Sequence, residues 1–479
     1  MIFAFVDEAT LAACALVCRP WKEPALDELW KHLDSLLPLF GLLFDVEALL
    51  LGGGEYPENL LMRGVDWLKF RSYAQRVRSI DIEPGSLSLF HVNMALLAVA
   101  SIDHPFGSLF LPHVHRLELG LDFKLLDEEA AALFPSLQGL APNLQELSIT
   151  FTSPILVGDL EAPLSRWISS LQHLTKLWLP PYYQPKMIVT AAGELKELKV
   201  LKIMVKSAMV ANEEGMQMEF APNTFPMLRA LAWNSSLPNA FQLLQPSPRV
   251  EALESLYLDC SGYDDHVTIP TFTRLIGHAC PRLREVSLIL LPDWWTRAES
   301  SVGPLDMEVL YGLAPCENLV TLQIGHPFPM TLNESDVHWI GRSWRNLERL
   351  VLCVDPDLDR PINPRMGASI LALPLLAELL PNLTRLGLYF RESDVMRFSG
   401  DLHPQHQFKN LRTLQLIREG IRFSYTTKQN IPSPKIGSGG KAMNLRSTFA
   451  PAACAAEILC KSSDPTNGGD LAGFQGWVC

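Results

Sequence analysis

A short pattern returns along most of this chain: apolar, two variable residues, apolar, one variable residue, apolar. It reads VHRLEL at 114–119, LQELSI at 144–149, LTKLWL at 174–179, LKVLKI at 198–203, LRALAW at 228–233 and LESLYL at 253–258. LREVSL at 283–288, LVTLQI at 319–324, LERLVL at 347–352, LTRLGL at 383–388 and LRTLQL at 411–416 follow, and VRSIDI at 77–82 is an earlier, weaker member. Leucine is common, so one occurrence means nothing. Successive starts lie 37, 30, 30, 24, 30, 25, 30, 36, 28, 36 and 28 residues apart. Ordered recurrence of that kind means one supersecondary unit used many times over.

Each unit has two parts. The last four residues of the pattern alternate, which is the period of a strand with one face buried. The intervening segments carry helical stripes: Leu164, Trp167, Ile168 and Leu171 form one, and Phe272, Leu275, Ile276 and Ala279 another. Residues 336–344 and 369–380 read the same way. Proline in the lead-ins PNL (142–144), PRL (281–283) and PNL (381–383) ends a helix just before a strand begins. One unit of this size cannot bury both its strand and its helix, so units must stack into a solenoid. The expected class is α/β: a small helical module, then a solenoid with a parallel sheet on its concave face and helices on its convex face.

The period, near 30 residues, matches the long, irregular end of leucine-rich repeats. From about Val77 to Ile417 the chain resembles the leucine-rich repeats of F-box proteins. Strand alternation turns the apolar positions inward and the residues between them outward. The middle outward row runs through Glu118, Ser148, Trp178, Lys202, Ala232, Tyr257, Ser287, Gln323, Val351, Gly387 and Gln415, and the row beside it includes Arg116, Glu146, Lys176, Glu285, Arg349 and Arg385. Trp178, Lys202, Tyr257, Glu285, Arg349 and Arg385 are the candidates for holding a protein target, because exposed aromatic and charged side chains anchor interfaces.

The N-terminus reads TLAACALVCRPWKEPALDELW over 10–30. Asp7 or Thr10 suits the cap of a first helix carrying Leu11, Cys14, Ala15, Cys18 and Trp21 at helical spacing. Pro20 is expected to stop it, and Pro24 to open a second helix whose stripe continues through Leu26, Leu29, Trp30, Leu33, Leu36 and Leu37. The pair has a broad apolar face and is too small to hide it alone. The residues IFAFV (2–6), TLAACALVCRPW (10–21), EPAL (23–26), LW (29–30) and LLP (36–38) resemble the F-box of mushroom-type fungal proteins. In that family the F-box binds the Skp-type adaptor of cullin–RING ubiquitin ligases. The resemblance implies adaptor contacts at Leu11, Leu16, Val17, Trp21, Leu29 and Trp30, some of them forming the module's own core instead. Family members begin with a Leu-Pro-x-Glu-Ile-like segment ahead of the Ile-Phe, so the segment reads as clipped at its N-terminus.

Composition removes other classes. The net charge is −12, with 40 basic against 52 acidic residues and no basic cluster. Nucleic-acid binding needs phosphate neutralisation by Lys and Arg, and an anionic membrane repels such a chain. No window reaches the ~18 apolar residues of a membrane span. Asp7-Glu8 and the lack of an early basic residue argue against a secretion signal. Nine scattered cysteines read as reduced thiols in a cytoplasmic or nuclear protein. Cys14 and Cys18 lack two further metal ligands. His113 with His115, and His403 with His406, lack a third, and Asp355, Asp357 and Asp359 precede Arg360 where a calcium loop needs glycine. No phosphate loop follows Gly52-Gly53-Gly54. No catalytic constellation, metal site or cofactor is expected. The expected layout is an F-box-like module at 1–45, a transition at 46–76, the solenoid at 77–423 and a low-complexity tail at 424–479, part of that tail being read as non-functional sequence. The expected function is target recognition for an SCF-type ligase. The alternative is a leucine-rich interaction scaffold with a degenerate F-box and no ligase role.

Overall fold

The computed structural model describes residues 2–43, 67–82, 111–121, 134, 137, 141–151, 161–179, 186–203, 224–234, 237–245, 248–260, 268–290, 303–354, 356, 363, 365–391, 408–418 and 421–426. They fall into two compact units. One is Met1–Asp264 with Phe272–Leu283 and Leu291–Ser300; the other is Asp265–Thr271, Arg284–Leu290 and Ser301–Cys479.

The first unit opens with a 3-10 turn, Ile2–Phe5, and helix α1, Glu8–Val17. Asp7 caps α1: its carboxylate accepts from the Thr10 N–H and the Thr10 hydroxyl, each at 2.9 Å. The Thr10 backbone bond, then its hydroxyl, hold that carboxyl below its usual range. Cys18 is extended (φ −157°) and separates α1 from α2, Arg19–Leu29. Pro20, expected to end the first helix, sits in the first turn of the second, where a missing N–H costs nothing. Pro24, expected to open that helix, lies inside it. Packing of α1 on α2 about the fully buried Ala25 outweighs the one hydrogen bond Pro24 cannot make.

The second helix is also shorter than its apolar stripe suggests. It stops at Leu29, and β1, His32–Leu33, pairs in parallel with β2, Ser79–Ile82. The Lys31 carbonyl accepts from the N–H groups of Arg78 (2.8 Å) and Ser79 (3.0 Å). Those non-local bonds replace the helical ones, a choice no local pattern encodes. A short helix α3, Leu37–Phe40, follows, and α4, Trp67–Ala74, leads into β2.

From β2 on, the repeat sets the register. Strands β3 (Arg116–Leu121), β4 (Glu146–Phe151), β5 (Lys176–Leu179), β6 (Val200–Ile203), β7 (Ala230–Asn234) and β8 (Ser255–Asp259) pair in parallel and in chain order. Equivalent motif positions face each other, so Ile80, Leu117, Leu147, Leu177, Leu201, Leu231 and Leu256 form one buried ladder. Burial of each such side chain contributes about 1.5–3 kcal/mol. Side chains also tie one repeat to the previous: Asn143 Nδ2 donates to the Pro112 carbonyl (2.9 Å), and Thr175 Oγ1 to the Gln145 carbonyl (3.0 Å). Helix α5 (Glu161–Ser170) buries the predicted stripe, with Trp167 stacked on Phe134 at 5.4 Å, and α6 (Lys186–Gly193), which no predicted stripe foreshadows, buries Ile188, Val189 and Ala192. In α7, Thr268–Ala279, Phe272 and Ile276 are fully buried and Leu275 half-buried.

In the second unit β9 (Glu285–Ile289), β10 (Thr321–Gly325), β11 (Arg349–Leu352), β12 (Arg385–Tyr389) and β13 (Thr413–Arg418) are parallel. Their ladder is Val286, Leu322, Leu350, Leu386 and Leu414. Helix α8, Glu334–Ser343, begins with a reciprocal cap between Asn333 and Asp336, and α9 is Ala372–Leu379. The apolar repeat does not foreshadow β14, Ile421–Thr426, which pairs antiparallel with β13 and covers an otherwise open edge. Between β11 and β12, Gly367 has φ +105°, and a Cβ there would meet the Tyr389 carbonyl oxygen at 2.9 Å. Gly367→Ala is expected to cost about 1–3 kcal/mol, from a backbone conformation that L side chains avoid, measurable by denaturant unfolding.

Candidate functional site

Two surfaces stand out, one on the N-terminal helices and one on the open strand faces. On the helices the six predicted residues separate by burial. Leu11 is 4% exposed and belongs to the module's interior. Leu16 (89% exposed), Val17 (65%) and Trp21 (48%) stand out at the end of α1 and the first turns of α2. Cys18 breaks the helix between them, which is why residues at α-helical spacing do not share one buried stripe. Leu29 and Trp30 are half-buried, and Trp30 packs on Tyr73 with ring centroids 4.4 Å apart. Phe5, 91% exposed, was not among the predicted contacts. Its only sequence signal is its place in IFAF, beside Phe3, whose ring meets Trp21 edge-on at 6.1 Å. The exposure of these side chains makes this surface the candidate docking face.

Polar contacts hold the opposite side of α2. The Arg76 guanidinium pairs with both Glu23 and Asp27, and Nη1 also donates to the Glu23 carbonyl at 3.3 Å. His32 Nδ1 lies 2.8 Å from Ser79 Oγ. The Arg76 hydrogen bond, then its charge, hold the Glu23 carboxyl below its usual range. A carboxyl depressed in the folded state supports folding above its unfolded pKa and loses that support as pH falls through the folded value. Thermal melts between about pH 6 and about pH 3, the span of ordinary carboxyl titration, are therefore expected to fall more steeply for the parent than for Arg76→Ala. Equal slopes would disprove the clamp.

The open strand faces carry the second set. In the first unit Arg116 pairs with Glu118, and Lys176 Nζ lies 2.6 Å from Glu146 Oε1. Lys202 Nζ sits 4.7 Å from the centroid of the Trp178 ring. Burial, then the neighbouring Lys176 charge, push the Lys202 ammonium pKa down, whereas the Glu118 hydrogen bond outweighs burial and raises that of Arg116. Arg116, Glu118, Glu146, Ser148, Lys176 and Trp178 line a shallow depression across β3–β5. Trp178 and Tyr257 are half-buried. The outward row is not uniformly open, contrary to the simple alternation rule: Ala232 and Val351 are buried. At Gly387 a Cβ would meet Val354 Cγ1 at 2.8 Å, so the missing side chain is what lets the valines close over the sheet there. Glu285 and Arg349 are exposed, and Arg385 is half-buried.

Among the described residues no group of three or more His, Cys, Asp or Glu side chains is placed to hold a metal ion. Cys18 is exposed and Cys14 half-buried. His113 and His115 are both exposed. Gly52-Gly53-Gly54, Asp355, Asp357, Asp359, His403, His406 and the tail beyond 426 lie outside the described residues. Burial pushes the thiols of Cys316 and Cys353 up to about 12. Alkylation at about pH 8, near the free-thiol pKa, is expected to label Cys18 and spare both buried thiols in folded protein, as peptide mass mapping would show. No described helix is long and apolar enough to cross a membrane.

The class is thus an α/β solenoid of the leucine-rich-repeat type, preceded by a small helical module with an exposed apolar face. Residues 1–35 match the F-box-like family. No curated protein matches the chain. Solved structures similar to it include a Bacteroides fragilis protein at 14% identity and TM-score 0.32, the match covering 61% of this chain and 69% of that one. The complex of TLR13 with the single-stranded RNA ssRNA13 is similar at 15% identity and TM-score 0.29, over 72% of this chain and 51% of that chain. The Arabidopsis receptor kinase HAESA, solved with the peptide hormone IDA and the co-receptor SERK1, is similar at 13% identity and TM-score 0.19, over 67% of each chain.

Proposed function

We propose that this chain is a substrate-recognition subunit of an SCF-type cullin–RING ubiquitin ligase. The observation that carries the reading is the exposure of Leu16, Val17 and Trp21 within the stretch that matches the F-box-like family. On this reading residues 1–45 dock a Skp-type adaptor, and the open strand faces within 77–423 hold a target protein. The chain itself does no chemistry: it raises the effective concentration of target lysines near a ubiquitin-charged enzyme recruited by the rest of the complex. On the same reading Leu29 and Trp30, both half-buried, join the module to the first repeat, and the exposed Phe5 takes a place on the docking face.

Co-expression with a fungal Skp-type adaptor, followed by affinity capture and size-exclusion chromatography, tests the reading. A stoichiometric complex is the expected result. Folded protein that elutes alone would reject it and leave a leucine-rich interaction scaffold whose F-box no longer docks.

A further inference from the structure

At the third motif position of the strands the basic side chains fall into two groups. In the first unit the third motif position carries Arg116 and Lys176, and each has a carboxylate on the same sheet, Glu118 and Glu146 respectively. In the second unit the equivalent positions carry Arg349 and Arg385, which are register partners on the adjacent strands β11 and β12. Among the described residues neither is in an ion pair. Arg385 Nη2 donates to Gln415 Oε1 at 3.3 Å, while its Nε is buried with no partner among the described residues.

This arrangement is costly as it stands. Strands lie about 4.8 Å apart, so two like charges rise side by side from one face and repel. The chain has 52 acidic against 40 basic residues, yet the described carboxylate at this motif position in the second unit, Glu285 on β9, is separated from Arg349 by strand β10. A half-buried guanidinium with an orphan N–H is stabilised when an anion completes it. The surroundings suit one. Gln323 continues the half-buried row on β10, and Val351 and Val354 cover the sheet at Gly387, so the two guanidiniums stand at the margin of an apolar patch.

We propose that this face of the second unit holds an extended acidic segment of a protein partner, with two of its carboxylates seated on Arg349 and Arg385. An extended chain rises about 3.3 Å per residue and turns alternate side chains to one face, so carboxylates two residues apart, about 6.6 Å along the chain, can each reach one of two guanidiniums on strands about 4.8 Å apart. Each guanidinium presents a planar fork that a carboxylate can meet with two hydrogen bonds. The proposal deepens the reading of the strand faces as target-binding and rests on it, adding the chemistry of the target. It does not depend on adaptor docking.

The test is fluorescence anisotropy of the full chain, without adaptor, using a labelled decapeptide of alternating Glu and Ser. A Gln-for-Glu version and a Gln version with phosphoserine for serine serve as comparisons. The Glu peptide is expected to bind at least about ten-fold tighter than the Gln peptide, and to weaken as salt rises from about 50 to about 200 mM because the contact is ionic. Arg349→Ala and Arg385→Ala are each expected to weaken it about ten-fold. Arg→Lys at either site should weaken it less, since the charge stays and the fork is lost. Lys176→Ala, on the first unit, should leave it unchanged. Circular dichroism confirms that each variant is folded. Equal binding of the Glu and Gln peptides, binding of the phosphopeptide alone, or indifference of folded arginine variants would each overturn the proposal. Peptide discrimination without adaptor capture would reject the ligase reading only, and adaptor capture without discrimination would reject this one only.

Discussion

Replacing Leu16 and Val17 together with aspartate is expected to abolish capture of a Skp-type adaptor while leaving thermal unfolding nearly unchanged. Both side chains stand in water in the free protein, at 89% and 65% exposure. Surface substitutions of that kind alter stability by only about 0.5 kcal/mol. In a complex the same two positions lose their water, and each introduced carboxylate is then buried without a partner, which is far more costly. Central interface residues contribute about 2 kcal/mol or more apiece, so the pair weakens binding by at least about a thousand-fold. Trp21→Ala alone should weaken it by a smaller but clear amount, since the ring is half exposed and part of its surface already rests on Phe3. Leu11→Asp is the informative contrast. That side chain is interior, so its replacement should lower the melting temperature and lose capture through unfolding. Capture that survives the Leu16/Val17 change in folded protein would place adaptor docking elsewhere or nowhere.

The second large effect lies in the core of the second unit. Trp344→Ala is expected to remove about 3–5 kcal/mol, the range for deleting a large aromatic from a packed interior. Trp344 is fully buried at the end of α8 and meets Trp339 edge-on, with centroids 5.3 Å apart. Its backbone N–H closes the last turn on the Ile340 carbonyl (2.9 Å), and its own carbonyl accepts from Leu347 (3.1 Å), the first residue of the next motif. The ring thus fills the corner where helix gives way to strand. Trp344→Phe should cost much less than its lost volume suggests. The indole Nε1 is buried without a hydrogen-bond partner among the described residues, so phenylalanine removes an unsatisfied donor together with the lost contacts. Urea unfolding of the three proteins, compared at equal m-values, measures both differences. A phenylalanine variant as unstable as the alanine one would show that the donor is satisfied in solution.

Much of this structure was legible before any coordinates. Every occurrence of the apolar repeat, from VRSIDI to LRTLQL, became a parallel strand, and the third, fourth, fifth and sixth motif positions pair with their equivalents in neighbouring repeats. That legibility has a simple cause. Each repeat solves the same local packing problem, so the solution is written repeatedly, and chance matches are diluted. The helical stripe from Leu164 to Leu171 is buried for the same reason. The N-terminal module is less legible. Leu33, Leu36 and Leu37 continue the apolar stripe and predict a longer second helix, whereas the chain leaves the helix at Trp30 to pair with β2. The partner strand lies 47 residues away at Ser79, beyond the reach of any local periodicity.

The site divides along the same line. Leu11, Leu16, Val17 and Trp21 are all apolar, and it is the resemblance to the F-box that implies them as a group. Only the packing of α1 on α2 decided that Leu11 goes inward and that Leu16 and Val17 stay out. On the strand faces, alternation named Arg349 and Arg385 as outward residues. It could not show that they are register partners on adjacent strands, or that Arg116 and Lys176 find carboxylates where these two have none among the described residues. By itself, the sequence determined the repeating unit, its strand faces and the apolar character of the N-terminal helices, because those depend on period and composition. Tertiary structure decided which apolar residues remain in water and which charges remain unpaired, because burial and pairing depend on what the rest of the chain brings alongside.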